Sequence, residues 1–305
     1  MSRIRRLLPS VMAVLALTGT VSCQVTGKEA VAAEDSGKPP LASAFSQAVP
    51  SPSPSSPSAA PSPMDTGDTV VKALEALPEG SGSYTIAVEY LDGQDSVVYG
   101  ADAGGYDTAS IVKVDILAAL LLQAQDRGTS LTAERKRLAS AMIRSSDNAA
   151  ADALWQTIGG AQGLDAANER LGLTATVAGG SGHWGLTQTT ATDQLVLLEA
   201  VFGGQSLLTS RSRGYAQSLM TDVVAGQRWG ISAAAGAESA VALKNGWLPR
   251  TATGLWDVNS IGRITYEGHT LLVAVLSDGQ SSQQAGINLV EQVATAAVKA
   301  LVNTP

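Results

Sequence analysis

The sequence predicts an α/β (α+β) fold, with an antiparallel sheet built from N- and C-terminal strands, flanking helices and an all-helical middle. Two observations carry this. Strand-like runs lie near both ends of the folded region, SYTIAVEYLDGQDSVVYG early and SAVALKNGW, GLWDVNSIGRITYE and HTLLVAVLSDG late, while helical patterning dominates from Ile111 to about Gly204. Strands separated in this way must meet in one sheet, and the helices between them must cover it or form a lobe of their own. With 45% hydrophobic residues in 305, the chain has ample material for a core.

The N-terminal stretch MSRIRRLLPSVMAVLALTGTVSC has a basic start and an apolar run of signal length, so residues 1–23 read as an export signal. The single cysteine, Cys23, follows that run directly after Thr20-Val21-Ser22 and is the expected lipidation site, with cleavage after Ala30-Val31-Ala32 as the alternative. One cysteine allows no internal disulfide. The formal charge is −7, and loss of Arg3, Arg5 and Arg6 with the signal leaves −10, a surface that repels nucleic acid.

Residues 24–68 read as a Pro/Ser-rich linker, with eight of the twelve prolines between Ser36 and Pro63 and too little apolar surface to fold. The folded domain is expected over 69–305. It opens with a short helix, TVVKALEALPEG, stopped by Pro78, followed by a hairpin turning at Asp92-Gly93. The run TASIVKVDILAALLLQA is apolar on nearly every side, so its helix is expected to be buried. QAGINLVEQVATAAVKALV is the closing helix.

Three short motifs carry chemistry. Ser110 and Lys113, three apart at the start of the apolar helix, share one side of it, and a buried lysine loses affinity for its proton and can activate a serine. In IRSSDNAAADALWQTIGG, Ser146 offers a hydroxyl for proton transfer and Asn148 an amide for a substrate, although Ser-Asp-Asn before an Ala-rich helix also reads as an N-cap. In ALKNGWLPR, Lys244 offers charge to a carboxylate and Gly246 close backbone approach, although an ordinary strand end reads the same way. Neither His183 nor His269 sits near a G-x-S-x-G elbow, which argues against a histidine-based triad.

Taken together and in this order, the motifs resemble the S-x-x-K, S-D-N and K-T-G signatures of class A β-lactamases and serine penicillin-binding proteins. The resemblance is closest in SDNAAADALWQTIGG. It implies a β-lactamase/DD-peptidase-like fold, Ser110 as acylated nucleophile, Lys113 as base and Ser146 as proton relay. It further implies substrate binding by Asn148, Lys244, Asn245, Gly246 and Trp247, and an oxyanion hole from the backbone N–H groups of Ser110 and Trp247. Expected partners are a β-lactam or peptidoglycan-derived small molecule and, through Cys23, the outer face of the cell membrane. No metal, cofactor or nucleic acid is expected, and the protein is expected to be a monomer.

The sequence departs from the pattern in three places. The loop that carries the deacylating E-x-x-L-N in class A enzymes reads RLGLTATVAGGSGHWGLTQTTATDQ, with no glutamate between Glu169 and Glu199, so release of an acyl group is expected to be slow unless His183 or Gln188 substitutes. Asn245 and Trp247 replace smaller polar residues. The Ser110 to Ser146 interval is also short for the family, so by this resemblance the all-helical lobe is expected to be reduced. β-Lactam hydrolysis is the first functional expectation; a D-alanyl-D-alanine carboxypeptidase or another cell-wall peptidase or esterase is the second, and a catalytically silent binding lipoprotein the third.

Overall fold

The computed structural model describes residues 66–303 except 79, 81, 92, 94, 101–104 and 238; the expected signal, Cys23, the 24–65 stretch and Asp92 of the hairpin turn lie outside the described residues. In order, the elements are α1 (Thr66–Glu75), β1 (Ser83–Tyr90), β2 (Ser96–Tyr99), β3 (Tyr106–Asp107), α2 (Val112–Asp126), α3 (Ala133–Arg144), α4 (Asn148–Ile158) and α5 (Gly160–Leu171). There follow β4 (Gln188–Thr189), α6 (Ala191–Phe202), α7 (Ser210–Thr221), β5 (Ala242–Pro249), β6 (Trp256–Tyr266), β7 (His269–Asp278) and α8 (Gln283–Val302).

The five-stranded sheet has the order β2-β1-β7-β6-β5 and is antiparallel throughout, joining the early hairpin to the late strands as the sequence pattern requires. Alternation sorts its side chains onto two faces. Ala87, Ile261, Leu272, Ala274 and Leu276 face a core shared with α2–α7, and Ile86, Val88, Leu243, Val258, Val273 and Val275 face a second core shared with α1 and α8. With both faces covered, the middle of β1 (86–88) and of β7 (271–276) are continuous buried apolar runs.

α2 runs through the centre of the first core, with twelve buried residues out of fifteen, Lys113 and Asp115 among them. Such a helix needs no polar face because helices and sheet surround it. α8 is long and apolar enough to cross a membrane by length and composition, yet Val290, Val293, Ala294, Ala297, Val298 and Leu301 are buried in the second core.

Two local details differ from expectation. α1 starts at Thr66, inside the expected linker, and ends at Glu75, ahead of Pro78. α7 lies beyond the expected end of the helical region; it is polar overall, but Ser212, Ala216, Leu219 and Met220 are buried at helical spacing and Thr209 accepts a hydrogen bond from Ser212 N as its N-cap.

Candidate active site

Ser110 lies in a single 3-10 turn, Ala109–Ile111, that leads directly into α2. Its position is fixed from three sides. Thr108 N–H donates to Thr187 O at 2.9 Å, tying the turn to the segment before β4. Asn259, fully buried on β6, donates its amide to Asp107 O at 2.9 Å and Thr108 O at 3.1 Å, while its Oδ1 accepts from Ser277 N at 3.0 Å. On β5, Gly246 is pressed so close that a Cβ would stand 2.7 Å from Thr108 O and 2.8 Å from Ser110 N, so only glycine fits.

Lys113 Nζ has four oxygen neighbours. Ser146 O and Asn148 Oδ1 each lie at 2.7 Å, Ser110 Oγ at 3.0 Å and Ser146 Oγ at 3.1 Å. The two nearest are acceptors only. A neutral amine spends both its N–H groups on them and keeps its lone pair for a hydroxyl. Burial pushes Lys113 down to about 8, with the carboxylates of Asp147 and Asp152 pulling the other way.

The Ser-Asp-Asn stretch serves as cap and cluster at once. Asp147 caps α4, its carboxylate accepting from Ala150 N at 2.7 Å, and this leaves the flanking Ser146 and Asn148 beside Lys113. Ser146 holds a left-handed backbone at φ 56°, and Ala109, next to Ser110, does so at φ 47°. Such conformations are costly for residues with a Cβ and persist where the surroundings enforce them.

Lys244 is 1% exposed; its Nζ lies 3.0 Å from Ser146 Oγ and 2.6 Å from Asn245 O. Ser146 Oγ therefore bridges two amines. Burial and the nearby Lys113 charge hold Lys244 well below the usual lysine range. Asn245, expected at the substrate edge, is instead wholly buried, and its Nδ2 donates to Gln227 O at 2.8 Å and Trp229 O at 3.0 Å. Alternation along β5 turns it away from Lys244 and Gly246 and toward the 225–234 segment.

An open cleft of about 410 Å³ lies over Ser110, lined also by Asn148, Trp184, Leu186, Trp247 and Leu248. Trp184 was not anticipated from the sequence. Its ring centroid lies 4.9 Å from Lys113 Nζ, and its Nε1–H donates to Asp152 Oδ1 at 2.7 Å. His183 lines the same cleft, whereas the Gln188 amide is hydrogen-bonded to Asp107 on β3, which also pairs with Arg250. No signal marked Trp184, because a tryptophan in a Gly-rich loop has no periodic context. Asn259 did leave one, as a polar residue in the middle of a buried strand.

Fold and site define a class: serine hydrolases of the β-lactamase and penicillin-binding type. The chain belongs to the β-lactamase enzyme family, whose family model matches residues 125–301. That match contains the Ser146–Asn148 and Lys244–Gly246 motifs and begins beyond Ser110. Among solved structures, the chain is similar to the TLA-1 extended-spectrum β-lactamase (TM-score 0.69, 18% identity, 78% of this chain and 100% of that one). It is also similar to a class A β-lactamase of Bacteroides cellulosilyticus DSM 14838 (TM-score 0.68, 17% identity, covering 78% and 99%) and to PBP-A (TM-score 0.64, 20% identity, covering 77% and 95%). At these identities the likeness speaks for the fold alone. A candidate lipoprotein of Mycobacterium tuberculosis, LppW, is 28% identical, and the chain spans 64% of its length, with 64% of this chain matched.

Proposed function

We propose that this domain is an active-site-serine acyl-transfer enzyme that is acylated at Ser110 by β-lactams and hydrolyses the acyl-enzyme slowly. The observation that carries the reading is the arrangement around Lys113, where two pure acceptors fix the amine and its remaining valence meets the Ser110 hydroxyl. Ser110 Oγ attacks the carbonyl carbon while its proton passes to Lys113 Nζ. From there it passes through Ser146 Oγ to the departing nitrogen or oxygen as the carbonyl–leaving-group bond breaks. The N–H groups of Ser110 and Trp247 receive the negative oxygen, and Asn148 Nδ2 is left for a substrate carbonyl. Water then cleaves the ester, so each turnover consumes one water: a β-lactam leaves as one ring-opened product carrying both the new acid and the new amine, and an acyclic ester or amide leaves as an acid and a separate alcohol or amine.

Slow release is supported by the loop side of the cleft, whose described lining holds no carboxylate to activate water. The Trp184 indole lies there over Lys113, and the Asp152 carboxylate accepts its N–H. A cell-wall peptidase or esterase is the second reading, favoured by the inward turn of Asn245. We place the protein outside the cytoplasm, anchored through a lipid on Cys23 and carried on the proline-rich stretch as a tether; a fatty-acid label lost in Cys23→Ser checks this.

Intact mass of the full chain after mixing with a penicillin tests the enzymatic reading, with Ser110→Ala as control. A Ser110-dependent adduct that persists is the expected result. An adduct that clears as fast as drug is consumed overturns slow release, and no adduct with penicillin or a D-alanyl-D-alanine ester leaves the silent binding protein.

A further inference from the structure

Charge is unevenly placed on this domain. The chain carries a formal charge of −7, yet α3 holds four basic side chains and one acidic, and α7 holds two basic and none acidic. The two helices lie side by side, with Tyr215 Oη of α7 donating to Lys136 O of α3 at 3.1 Å. Along α3, Lys136, Arg137, Ser140 and Arg144 fall in one strip at helical spacing, and the three cations are exposed. Of the acids in these segments, Glu134 is paired with Arg137, and Asp222 follows α7, where its carbonyl accepts from Arg144 Nε at 2.9 Å.

Two recesses open on these helices. The first, of about 290 Å³, has apolar Leu121, Ala124 and Leu131 in its lining together with Lys136 and Arg211, and among the described residues neither of these cations is in an ion pair. The second, of about 450 Å³, is lined by Arg137, Ser140, Arg144 and Val224. Apolar side chains stand at both ends of α7. Leu207, 55% exposed, precedes it, and its carbonyl accepts from Nε2 of Gln125, which lines the first recess. Val224, 44% exposed, follows it and lines the second. Cations alone would suit any polyanion. Cations interleaved with exposed apolar side chains suit a lipid surface, where phosphates meet the charges and the acyl boundary takes the apolar groups.

We infer that the α3–α7 face docks on a bilayer containing anionic phospholipid, with Lys136, Arg137, Arg144 and Arg211 holding lipid phosphates and Leu207 and Val224 entering the headgroup layer. The rest of the chain, acidic on balance, is repelled by the same surface, so the contact has one preferred orientation. Ser145, in the lining of the second recess, adjoins Ser146 of the reacting cluster, so the docked face ends beside the catalytic cleft. The inference depends neither on the chemistry of Ser110 nor on a lipid at Cys23.

The test uses the full chain with Cys23→Ser, Arg3→Gln, Arg5→Gln and Arg6→Gln, which removes lipidation and the N-terminal charge. Co-sedimentation at low salt compares vesicles of equal parts phosphatidylglycerol and phosphatidylcholine with vesicles of phosphatidylcholine alone. The expected result is binding to the anionic vesicles that falls about 100-fold when Lys136→Gln, Arg144→Gln and Arg211→Gln are added together, each chain being shown folded by its circular-dichroism melt. Leu207→Ser with Val224→Ser should weaken vesicle binding about 3- to 10-fold and leave retention on polyphosphate unchanged. Hydrogen exchange reads the same contact without touching the face: vesicles should protect peptides covering 131–144 and 205–224. Equal binding to both kinds of vesicle, or protection confined to other segments, overturns the inference. Vesicle binding indifferent to Leu207→Ser with Val224→Ser, beside equally tight binding of polyphosphate, makes the partner a soluble polyanion and overturns the membrane assignment.

Discussion

At the scale of single residues, Lys113 shows how much depends on the distinction between acceptors and hydroxyls. Ser146 O and Asn148 Oδ1, both at 2.7 Å, take the two N–H groups of the neutral amine, so deprotonation creates a base already aimed at a hydroxyl. Burial brings its pKa to about 8. Acylation should therefore rise with pH and level off above a midpoint near 8, read from the rate of Ser110 labelling. Lys113→Met should lower that rate about 10²- to 10⁴-fold. The motif residues themselves were legible because each carries a reactive group at a recognisable spacing. The direction of Asn245 was not, since nothing in ALKNGWLPR says which face of β5 an asparagine will find its acceptors on.

At the scale of elements, the site depends on how closely β5 approaches the turn before α2. Gly246 makes that approach possible, and Asn259 on β6 holds the same turn by two backbone carbonyls. Gly246→Ala places a methyl against Thr108 O and Ser110 N, both backbone atoms without a rotamer to yield. It should cut Ser110 acylation about 100-fold through displacement of the nucleophile, while circular dichroism still reports the sheet. Long periodic elements such as α2 and α8 were readable because a buried helix must look apolar. The two-residue pair β3–β4 was not readable, since two residues carry no period, yet it joins the Ser110 turn to the loop bearing Trp184.

At the scale of the whole molecule, the sheet leaves titratable groups in costly positions. Glu89 on β1 is held close to the charge of Glu199 on α6, and burial followed by that charge raises Glu89 from 4.5 to about 7. The folded state thus binds the Glu89 proton more tightly than the unfolded chain. Its stabilising contribution is full below pH 4.5 and is lost as pH rises through about 7. Glu89→Gln, isosteric and uncharged, should raise the melting temperature at pH 8 by about 2–4 °C, allowing for partial exposure, and leave it unchanged at pH 4. An equal shift at both pH values would assign the effect to packing.

The sequence alone determined which residues could react, in what order they occur, and that early and late strands must share a sheet, because reactive groups and apolar periodicity are local properties of the chain. Only the tertiary structure decided what those residues face. It set Ser146 between Lys113 and Lys244, turned Asn245 inward, and laid Trp184 over Lys113 from a loop with no pattern to read. These are contacts between segments 33 to 98 residues apart in the cases of Lys113–Ser146 and Ser146–Lys244. Packing of whole elements fixes such distances, and no short stretch of sequence encodes them.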